Sequence, residues 1–212
     1  AGRAALEPLR PAIEAADPWH FDKLMTHVFA QVKGNYAAKA ALNIALLDWV
    51  TQKLGIPVHR YFGLDPADAP VTTFSIGMDK PDVVRQKVRE AEPFPVLKVK
   101  VGLDSDEEMI AAVRSVTPKP LRVDANEGWK DREVAVRKIE WLEKQGVELI
   151  EQPLPADRRD DIAWIRERVA MPIFADESAL SVAAVPSLAG AYDGVNVKVD
   201  KCGGLLEAHR MI

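Results

Sequence analysis

From about residue 71 onward, short apolar segments alternate with amphipathic segments at a nearly constant interval. The apolar segments begin at residues 71, 95, 120, 147, 172 and 194, so successive starts lie 22 to 27 residues apart. Apolar runs of this length predict β-strands, and the stretches between them predict α-helices. Strands that alternate with helices form parallel βαβ units with right-handed crossovers. Two architectures fit this pattern, an open doubly wound sheet and a (β/α) barrel.

The segment DREVAVRKIEWLEKQG (131–146) illustrates the helical stretches. Its apolar residues, among them Val134, Ile139 and Leu142, recur mostly at steps of three and four. Gly146 stands where a glycine commonly ends a helix. The pattern predicts a helix that packs one apolar face on the sheet.

Charged residues at the strand ends favour the barrel over the open sheet. Five consecutive predicted strands carry such residues at or near their carboxyl ends: Lys98, Lys100, Asp124, Glu151, Asp176 and Lys198. In a barrel these ends converge on one mouth, where active sites are built. No glycine-rich phosphate loop follows any of the strands, which weakens the doubly wound alternative. We therefore predict an α/β fold of the (β/α)-barrel type.

The first third of the chain has a different pattern. Residues 7–32 and 36–55 are each predicted to be helical, and DPADAP (65–70) resembles a linker. We predict a helical N-terminal segment over residues 1–68 and a partial barrel with strands one to six over residues 69–212. Because six strands cannot close an eight-stranded barrel, we expect a fragment or an incompletely covered protein.

Composition restricts the partners of this chain. The formal charge is −4, and the basic residues do not gather in one block, so no nucleic-acid partner is expected. No apolar run reaches the length of a membrane span, and the sequence begins without the apolar stretch of a secretory signal. Cys202 is the only cysteine, which excludes an internal disulfide framework and multi-cysteine metal sites. We expect a soluble, cytoplasmic protein that binds any metal through oxygen.

The carboxylates Asp124, Glu151 and Asp176 end three successive predicted strands. Three converging carboxylates repel one another unless a cation lies between them. A hard divalent ion such as Mg²⁺ suits such a cluster. The alternative is that each carboxylate caps a helix or pairs locally with a basic residue, but three successive strand ends favour the metal site.

The lysines of the strand ends predict acid–base chemistry. Lys98 and Lys100 point to the same face of their strand, whose other face is apolar. Repulsion between two neighbouring ammonium groups lowers the pKa of one of them, which can then act as a base. Lys198 shows the same pattern on the sixth strand. Lysines that flank a metal from opposite sides suit removal of a proton α to a carboxylate, because the ion stabilises the resulting enediolate.

The segments LKVKVG, RVDANEGW, LIEQPLP, FADES and VNVKVDKCGG occur in this order. Together they resemble the enolase superfamily, specifically its muconate-lactonizing-enzyme subgroup. The resemblance covers nearly the whole chain, and the segment AALNIALLDWVTQKLGIPVHRYFG resembles part of that family's α+β capping domain. The implied fold is the enolase-superfamily barrel, with six of its strands in this chain.

The resemblance implies a role for each site residue. Asp124, Glu151 and Asp176 match the three Mg²⁺ ligands, and Lys100 and Lys198 match the two acid–base lysines on opposite faces of the substrate. Lys98 matches the neighbour that tunes charge and approaches the substrate carboxylate. Lys201 is an alternative to Lys198 as the second acid–base residue. Asn126 is expected to support the metal site.

Within the subgroup, the chain is most similar to dipeptide epimerases of the L-Ala-D/L-Glu kind. The implied activity is Mg²⁺-dependent epimerisation at the carbon α to a carboxylate, on a small-molecule substrate such as a dipeptide. Muconate cycloisomerases, o-succinylbenzoate synthases and N-acylamino-acid racemases share the same lysines and carboxylates and stay open as alternatives. A non-catalytic barrel fragment is a further alternative from another class. A homo-oligomer is also expected.

Overall fold

The structure, a computed structural model, describes residues 2–212. Its α-helices in the first half are Gly2–Leu6 (α1), Arg10–Ala15 (α2), Phe21–Gln31 (α3), Tyr36–Leu54 (α4), Val58–Tyr61 (α5), Pro81–Glu90 (α6) and Asp106–Arg114 (α7). Those that follow are Arg132–Lys144 (α8), Arg159–Arg166 (α9), Val185–Leu188 (α10), Val199–Cys202 (α11) and Leu205–Met211 (α12). Three short 3₁₀ helices span Glu7–Leu9, Pro18–His20 and Pro66–Asp68. None of these helices has both the length and the apolar character needed to cross a membrane.

Six strands form one sheet: Thr73–Ile76 (β1), Val96–Lys100 (β2), Leu121–Asp124 (β3), Val147–Glu151 (β4), Ile173–Ala175 (β5) and Gly194–Val195 (β6). All neighbouring pairs are parallel. The strands lie side by side in the order in which they occur along the chain. A doubly wound sheet reverses its order part-way, whereas a barrel does not. The predicted α/β fold with parallel barrel-type strands is confirmed.

The helix predicted between β3 and β4 forms as α8. The side chain of Asp131 accepts a hydrogen bond from the Val134 N–H at 2.8 Å, which caps the start of the helix. Gly146 follows the end of the helix with a φ of +74°, a left-handed conformation that favours glycine. Ile139 and Leu142 are buried, so the apolar stripe of the sequence packs inward as predicted.

Contacts divide the described residues into two compact units, one of which contains the whole sheet. This unit consists of residues 70–179 and 184–196. In β2, the side chains of Leu97 and Val99 are fully buried, while Lys98 and Lys100 alternate with them on the other face. The apolar face packs into the core, whereas the two lysines on the opposite face are only partly buried.

The other unit is helical and consists of residues 2–69, 180–183 and 197–212. Its core includes Leu24, Met25 and Val28 from α3 and Leu46 from α4. The assignment of residues 1–68 to a capping domain stays a prediction.

The sequence predicted one continuous helix over residues 7–32, and this prediction is wrong. The helices α2 and α3 are separated at Ala16 and Asp17, which both adopt extended backbone conformations. The cause is Pro18, because a proline disfavours the helical conformation of the residue before it. The Asp17 side chain then accepts a hydrogen bond from the Trp19 N–H at 3.0 Å and starts the next turn.

The sixth strand is shorter than the predicted segment 194–199. β6 ends at Val195, and the Asn196 N–H donates one further hydrogen bond to the Ala175 carbonyl at 2.7 Å. Because β5 itself ends at Ala175, β6 finds no further partner on that strand. Lys198 itself has an extended backbone conformation, with a φ of −104° and a ψ of 115°, and precedes α11.

Candidate active site

Three carboxylates converge at the carboxyl ends of β3, β4 and β5. Asp124, Glu151 and Asp176 each offer one oxygen, and these oxygens lie within 4.8 Å of one another. The three residues are 0%, 6% and 1% exposed. Carboxylates are rarely buried so completely unless a cation or hydrogen bonds compensate their charge. The structure therefore brings together the predicted metal ligands.

The strand register explains this convergence. Lys100 on β2 pairs directly with Asp124 on β3, and Asp124 pairs with Glu151 on β4. Direct partners on neighbouring strands point to the same side of a sheet. Asp176 follows β5 immediately, so its side chain joins the same group.

Both lysines of β2 contact the carboxylates. The Lys98 ammonium lies 2.9 Å from Asp124 Oδ2 and 2.7 Å from Glu151 Oε2. The Lys100 ammonium lies 2.9 Å from the same Asp124 oxygen and is more exposed, at 33% against 14% for Lys98. Lys98 is thus enclosed between two carboxylates, whereas Lys100 lies closer to the open side of the site.

These contacts keep Lys98 and Asp124 charged. Burial opposes the charge of Lys98, but its hydrogen bonds to Glu151 and Asp124 outweigh burial, so its pKa lies above the ordinary value. Burial also opposes the charge of Asp124, but hydrogen bonds from Lys100 and Lys98 hold its pKa below the ordinary value. The sequence predicted that repulsion between the two ammonium groups lowers the pKa of one of them. For Lys98 the carboxylates raise the pKa instead.

Two asparagines lie around this group. Asn126 Oδ1 accepts a hydrogen bond from the Lys100 ammonium at 2.5 Å, and the Asn126 N–H donates to Asp124 Oδ1 at 3.0 Å. Asn196 Nδ2 donates to Glu151 Oε2 at 2.6 Å. Sequence analysis gave Asn196 no contact with a ligand. Its place two residues before Lys198, on the same face of the predicted strand, was the available signal, but its partner depends on strand register.

Gln152 is a second residue whose role the sequence analysis missed. It directly follows Glu151 and is completely buried. The sequence offered one signal, an amide residue next to a predicted metal ligand within the segment LIEQPLP, but its burial and its hydrogen-bond partners are visible only in the structure.

Lys198 and Lys201 lie in the helical unit. Lys198 directly precedes α11, and its carbonyl accepts hydrogen bonds from the N–H groups of Lys201 and Cys202 at 3.0 and 2.9 Å. Both lysine side chains are partly buried. Their predicted roles as second base and rival base stay predictions.

The loops after β2 and β3 are held together by one buried aspartate. Asp106 Oδ1 accepts hydrogen bonds from the N–H groups of Gly102 and Leu103, at 2.8 and 2.9 Å. Its Oδ2 accepts from Trp129 Nε1 at 3.1 Å and from Lys138 Nζ at 2.8 Å. Trp129 is 4% exposed, so its indole ring packs inside the protein. This network fixes the backbone that follows Lys100 and Asp124.

Gly102 and Gly128 allow these two loops to touch. A Cβ atom on Gly128 would lie 2.6 Å from both the Cα and the carbonyl oxygen of Gly102, and 2.7 Å from the carbonyl oxygen of Ala125. These neighbours are backbone atoms and cannot rotate away. Only glycine therefore fits at position 128 without moving the loops.

We expect Gly128→Ala to lower the free energy of unfolding by about 1–3 kcal/mol, the usual cost of inserting a group into packed surroundings. Gly77→Ala is the matched control, because a Cβ on Gly77 meets nothing within 4 Å. Urea unfolding followed by circular dichroism measures both variants. Equal stability of the two variants would contradict the close approach described here.

The donor set fits a hard divalent cation. It consists of oxygen atoms alone, and the three carboxylates that supply them carry more negative charge than the two nearby ammonium groups neutralise. Ions such as Mg²⁺ prefer oxygen ligands of this kind. These residues place a candidate cation site and two lysines at one end of a parallel sheet.

The family described as "Enolase C-terminal domain-like" matches residues 82–212. This range contains Lys98, Lys100 and all three carboxylates. The chain belongs to this enolase family. Membership confirms the resemblance found in the sequence and agrees with the barrel-type strand order.

Individual enolase-family proteins resemble the chain closely. An L-Ala-D/L-Glu epimerase from Bacteroides thetaiotaomicron is 46% identical over 198 residues, which cover 93% of this chain and 52% of that protein. The substrate-liganded L-Ala-D/L-Glu epimerase of Bacillus subtilis has a TM-score of 0.90 at 27% identity, covering 99% of this chain and 61% of that one. A dipeptide epimerase from Cytophaga hutchinsonii, complexed with Mg and the dipeptide D-Ala-L-Val, has a TM-score of 0.86 at 27% identity. That match covers 92% of this chain and 55% of the Cytophaga protein.

The chain spans about half the length of the curated enolase-family relatives it matches, 52% and 55% for two of them. The matched half includes the carboxylate cluster and the paired lysines of β2. The activity of the whole protein is therefore a matter of proposal.

Proposed function

We propose that this chain carries the catalytic site of a Mg²⁺-dependent epimerase that inverts the carbon α to a carboxylate in a dipeptide. The observation that carries the proposal is the cluster of Asp124, Glu151 and Asp176 beside the Lys100 ammonium. A cation site and a lysine that can exchange a proton are two of the components that such a reaction needs.

Asp124, Glu151 and Asp176 would hold the ion. When bound, the ion supplies positive charge that stabilises the negative charge developing on the substrate carboxylate as the α-proton leaves. Buried carboxylates suit this task, because their interaction with a cation is stronger in low-dielectric surroundings than in water.

Lys100 is the residue we assign to proton transfer in this unit. Its ammonium group is partly exposed and lies within hydrogen-bond distance of Asp124 Oδ2 and Asn126 Oδ1. These two oxygens orient the group, and its exposure leaves it accessible to a substrate. Lys98 is enclosed by Asp124 and Glu151, and its positive charge offsets part of their negative charge. We assign it the further role of attracting the substrate carboxylate.

Lys198 is our candidate for the second acid–base residue, with Lys201 as the rival. Support comes from the segment VNVKVDKCGG, in which Lys198 stands between two valines as Lys100 does. Epimerisation needs one group to remove the proton and another to return it on the opposite face. A second lysine would complete that pair.

The dipeptide substrate is supported by the relatives, which include L-Ala-D/L-Glu epimerases and an epimerase complexed with Mg and a dipeptide. Two other expectations also stay predictions: that the protein forms a homo-oligomer and that it is cytoplasmic. Analytical ultracentrifugation tests the first, and fractionation of the source cells tests the second.

The proposal is tested by incubating the protein with L-Ala-L-Glu and, separately, with L-Ala-D-Glu in deuterated water that contains Mg²⁺. We expect ¹H NMR to show loss of the glutamate α-proton signal and appearance of the other stereoisomer in both samples. Excess EDTA should stop both changes. Turnover of muconate or of an N-acylamino acid without any reaction of several dipeptides would overturn the dipeptide assignment.

A further inference from the structure

Gln152 adopts a backbone conformation that its residue type rarely takes. Its φ is +37°, and the side chain is completely buried. Non-glycine residues with positive φ are uncommon and persist only where the surroundings hold them. In the described part of the chain there are four, and three of them lie just beyond the ends of β3 and β4: Asn126, Glu127 and Gln152.

The side chain of Gln152 joins β4 to the loop that follows β5. Its Oε1 accepts hydrogen bonds from the N–H groups of Asp176 at 3.1 Å and Ser178 at 3.2 Å. Its Nε2 donates to the Leu154 carbonyl at 2.9 Å, and to Ser178 Oγ and Tyr192 Oη at 3.0 Å each. Both ends of the amide are therefore satisfied inside the protein.

The backbone of Gln152 makes two further connections. Its N–H donates to the Phe174 carbonyl on β5 at 2.9 Å, and its carbonyl accepts from the Glu127 N–H at 2.9 Å. Glu127 belongs to the loop that follows Asp124. Gln152 consequently contacts the segments that carry the first and third carboxylates, and it is covalently bonded to the second, Glu151.

We propose that Gln152 is a positioning residue that sets the spacing of Asp124, Glu151 and Asp176 for a divalent cation. The inference rests on the metal site of the proposed function and is independent of the substrate. The decisive contact is the one to the Asp176 N–H, because this donor is buried and belongs to a ligand itself. Without the amide oxygen, that N–H has to find another acceptor, and the ligand has to move with it.

Only glutamine provides an acceptor for Asp176 and Ser178 and donors for Leu154 at this reach. Methionine has a similar length but lacks both functions. Glutamate keeps an oxygen for the two N–H groups but loses the donor to the Leu154 carbonyl, while the hydroxyls of Ser178 and Tyr192 can rotate to donate to its second oxygen. These two replacements separate the hydrogen-bonding role from simple filling of space.

The test is a titration of Mn²⁺ into the metal-free protein. The electron paramagnetic resonance signal of the free ion measures how much Mn²⁺ stays unbound. We expect Gln152→Met to weaken Mn²⁺ binding by about 10–100-fold, the usual effect of losing a partner that orients a ligand. Gln152→Glu should restore affinity to within about threefold of the parent protein or above it. Gln86→Met is the matched control, because Gln86 makes one exposed hydrogen bond, to Glu90.

A structural role alone would lower the urea midpoint of Gln152→Met while leaving Mn²⁺ affinity unchanged below the transition, and that result would overturn the inference. If Gln152→Met does not fold, Gln152→Asn decides, because it keeps the amide but falls one methylene short of Asp176. Parent-like binding by Gln152→Asn also contradicts the inference. Failure of the parent protein to bind Mn²⁺ overturns the metal site itself, and the inference with it.

Discussion

Replacing Lys100 with alanine is expected to stop interconversion of the two stereoisomers and to lower kcat by about 10²–10⁴-fold, the contribution typical of a general acid–base group. The loss should be specific to one direction of proton transfer. In deuterated water, one stereoisomer should still exchange its α-proton through Lys198, and the other should not. Exchange measured on each stereoisomer separately by ¹H NMR checks this.

The reciprocal variant, Lys198→Ala, should leave the mirror-image exchange through Lys100. Lys87→Ala is a suitable control, since Lys87 pairs with Asp79 on the surface. Interconversion near the parent rate in either Lys100→Ala or Lys198→Ala would exclude a two-base mechanism. Loss in Lys201→Ala instead of Lys198→Ala would keep the mechanism and change the identity of the second base.

Glu151→Gln should remove both metal binding and turnover. The substitution deletes a negative charge that the cation needs and leaves the Lys98 ammonium with one carboxylate partner fewer. A bound metal contributes several kcal/mol to such a reaction, so we expect turnover to fall by at least about 10³-fold. Calorimetric titration with Mg²⁺ or Mn²⁺ and the NMR assay measure the two effects.

Glu148→Gln provides the matched control for this experiment. Glu148 lies on the same strand, β4, but is exposed and lies 3.4 Å from Arg122. The Glu148→Gln variant should bind metal and turn over substrate like the parent protein. If Glu151→Gln also binds metal with parental affinity, Glu151 is not a ligand, and the proposed site has to be revised.

Much of the fold follows from patterns that are local in the sequence. The constant interval between strands predicts parallel βαβ units, and the alternation in LKVKV predicts the common face of Lys98 and Lys100. The three carboxylates could be predicted because each ends a strand, and parallel strands bring their carboxyl ends to one edge. At these positions the arrangement predicted from the sequence pattern agrees with the strand register in the structure.

Other features depend on contacts that the sequence pattern does not express. The early end of β6 follows from the length of its neighbour β5, and no property of the segment 194–199 reveals that length. The contacts of Gln152 span 26 and 40 residues, to Ser178 and Tyr192. The break between α2 and α3 could have been predicted from Pro18, because a proline disfavours a helical residue before it. The helical periodicity on both sides of Pro18 led to the prediction of one continuous helix.

The direct register of Lys100, Asp124 and Glu151 restricts how this site can change in length. Inserting or deleting one residue within β3 would turn Asp124 toward the helices and present Val123 to the site, because side chains alternate along a strand. The loops beyond the strand ends follow no such alternation and tolerate insertions far better. The first residues of these loops are an exception, because Gly128 and Gln152 make close contacts with neighbouring segments of the site. An engineer who grafts new substrate-contacting loops should therefore keep each strand together with the residue that directly follows it, which retains Gln152 and Asp176.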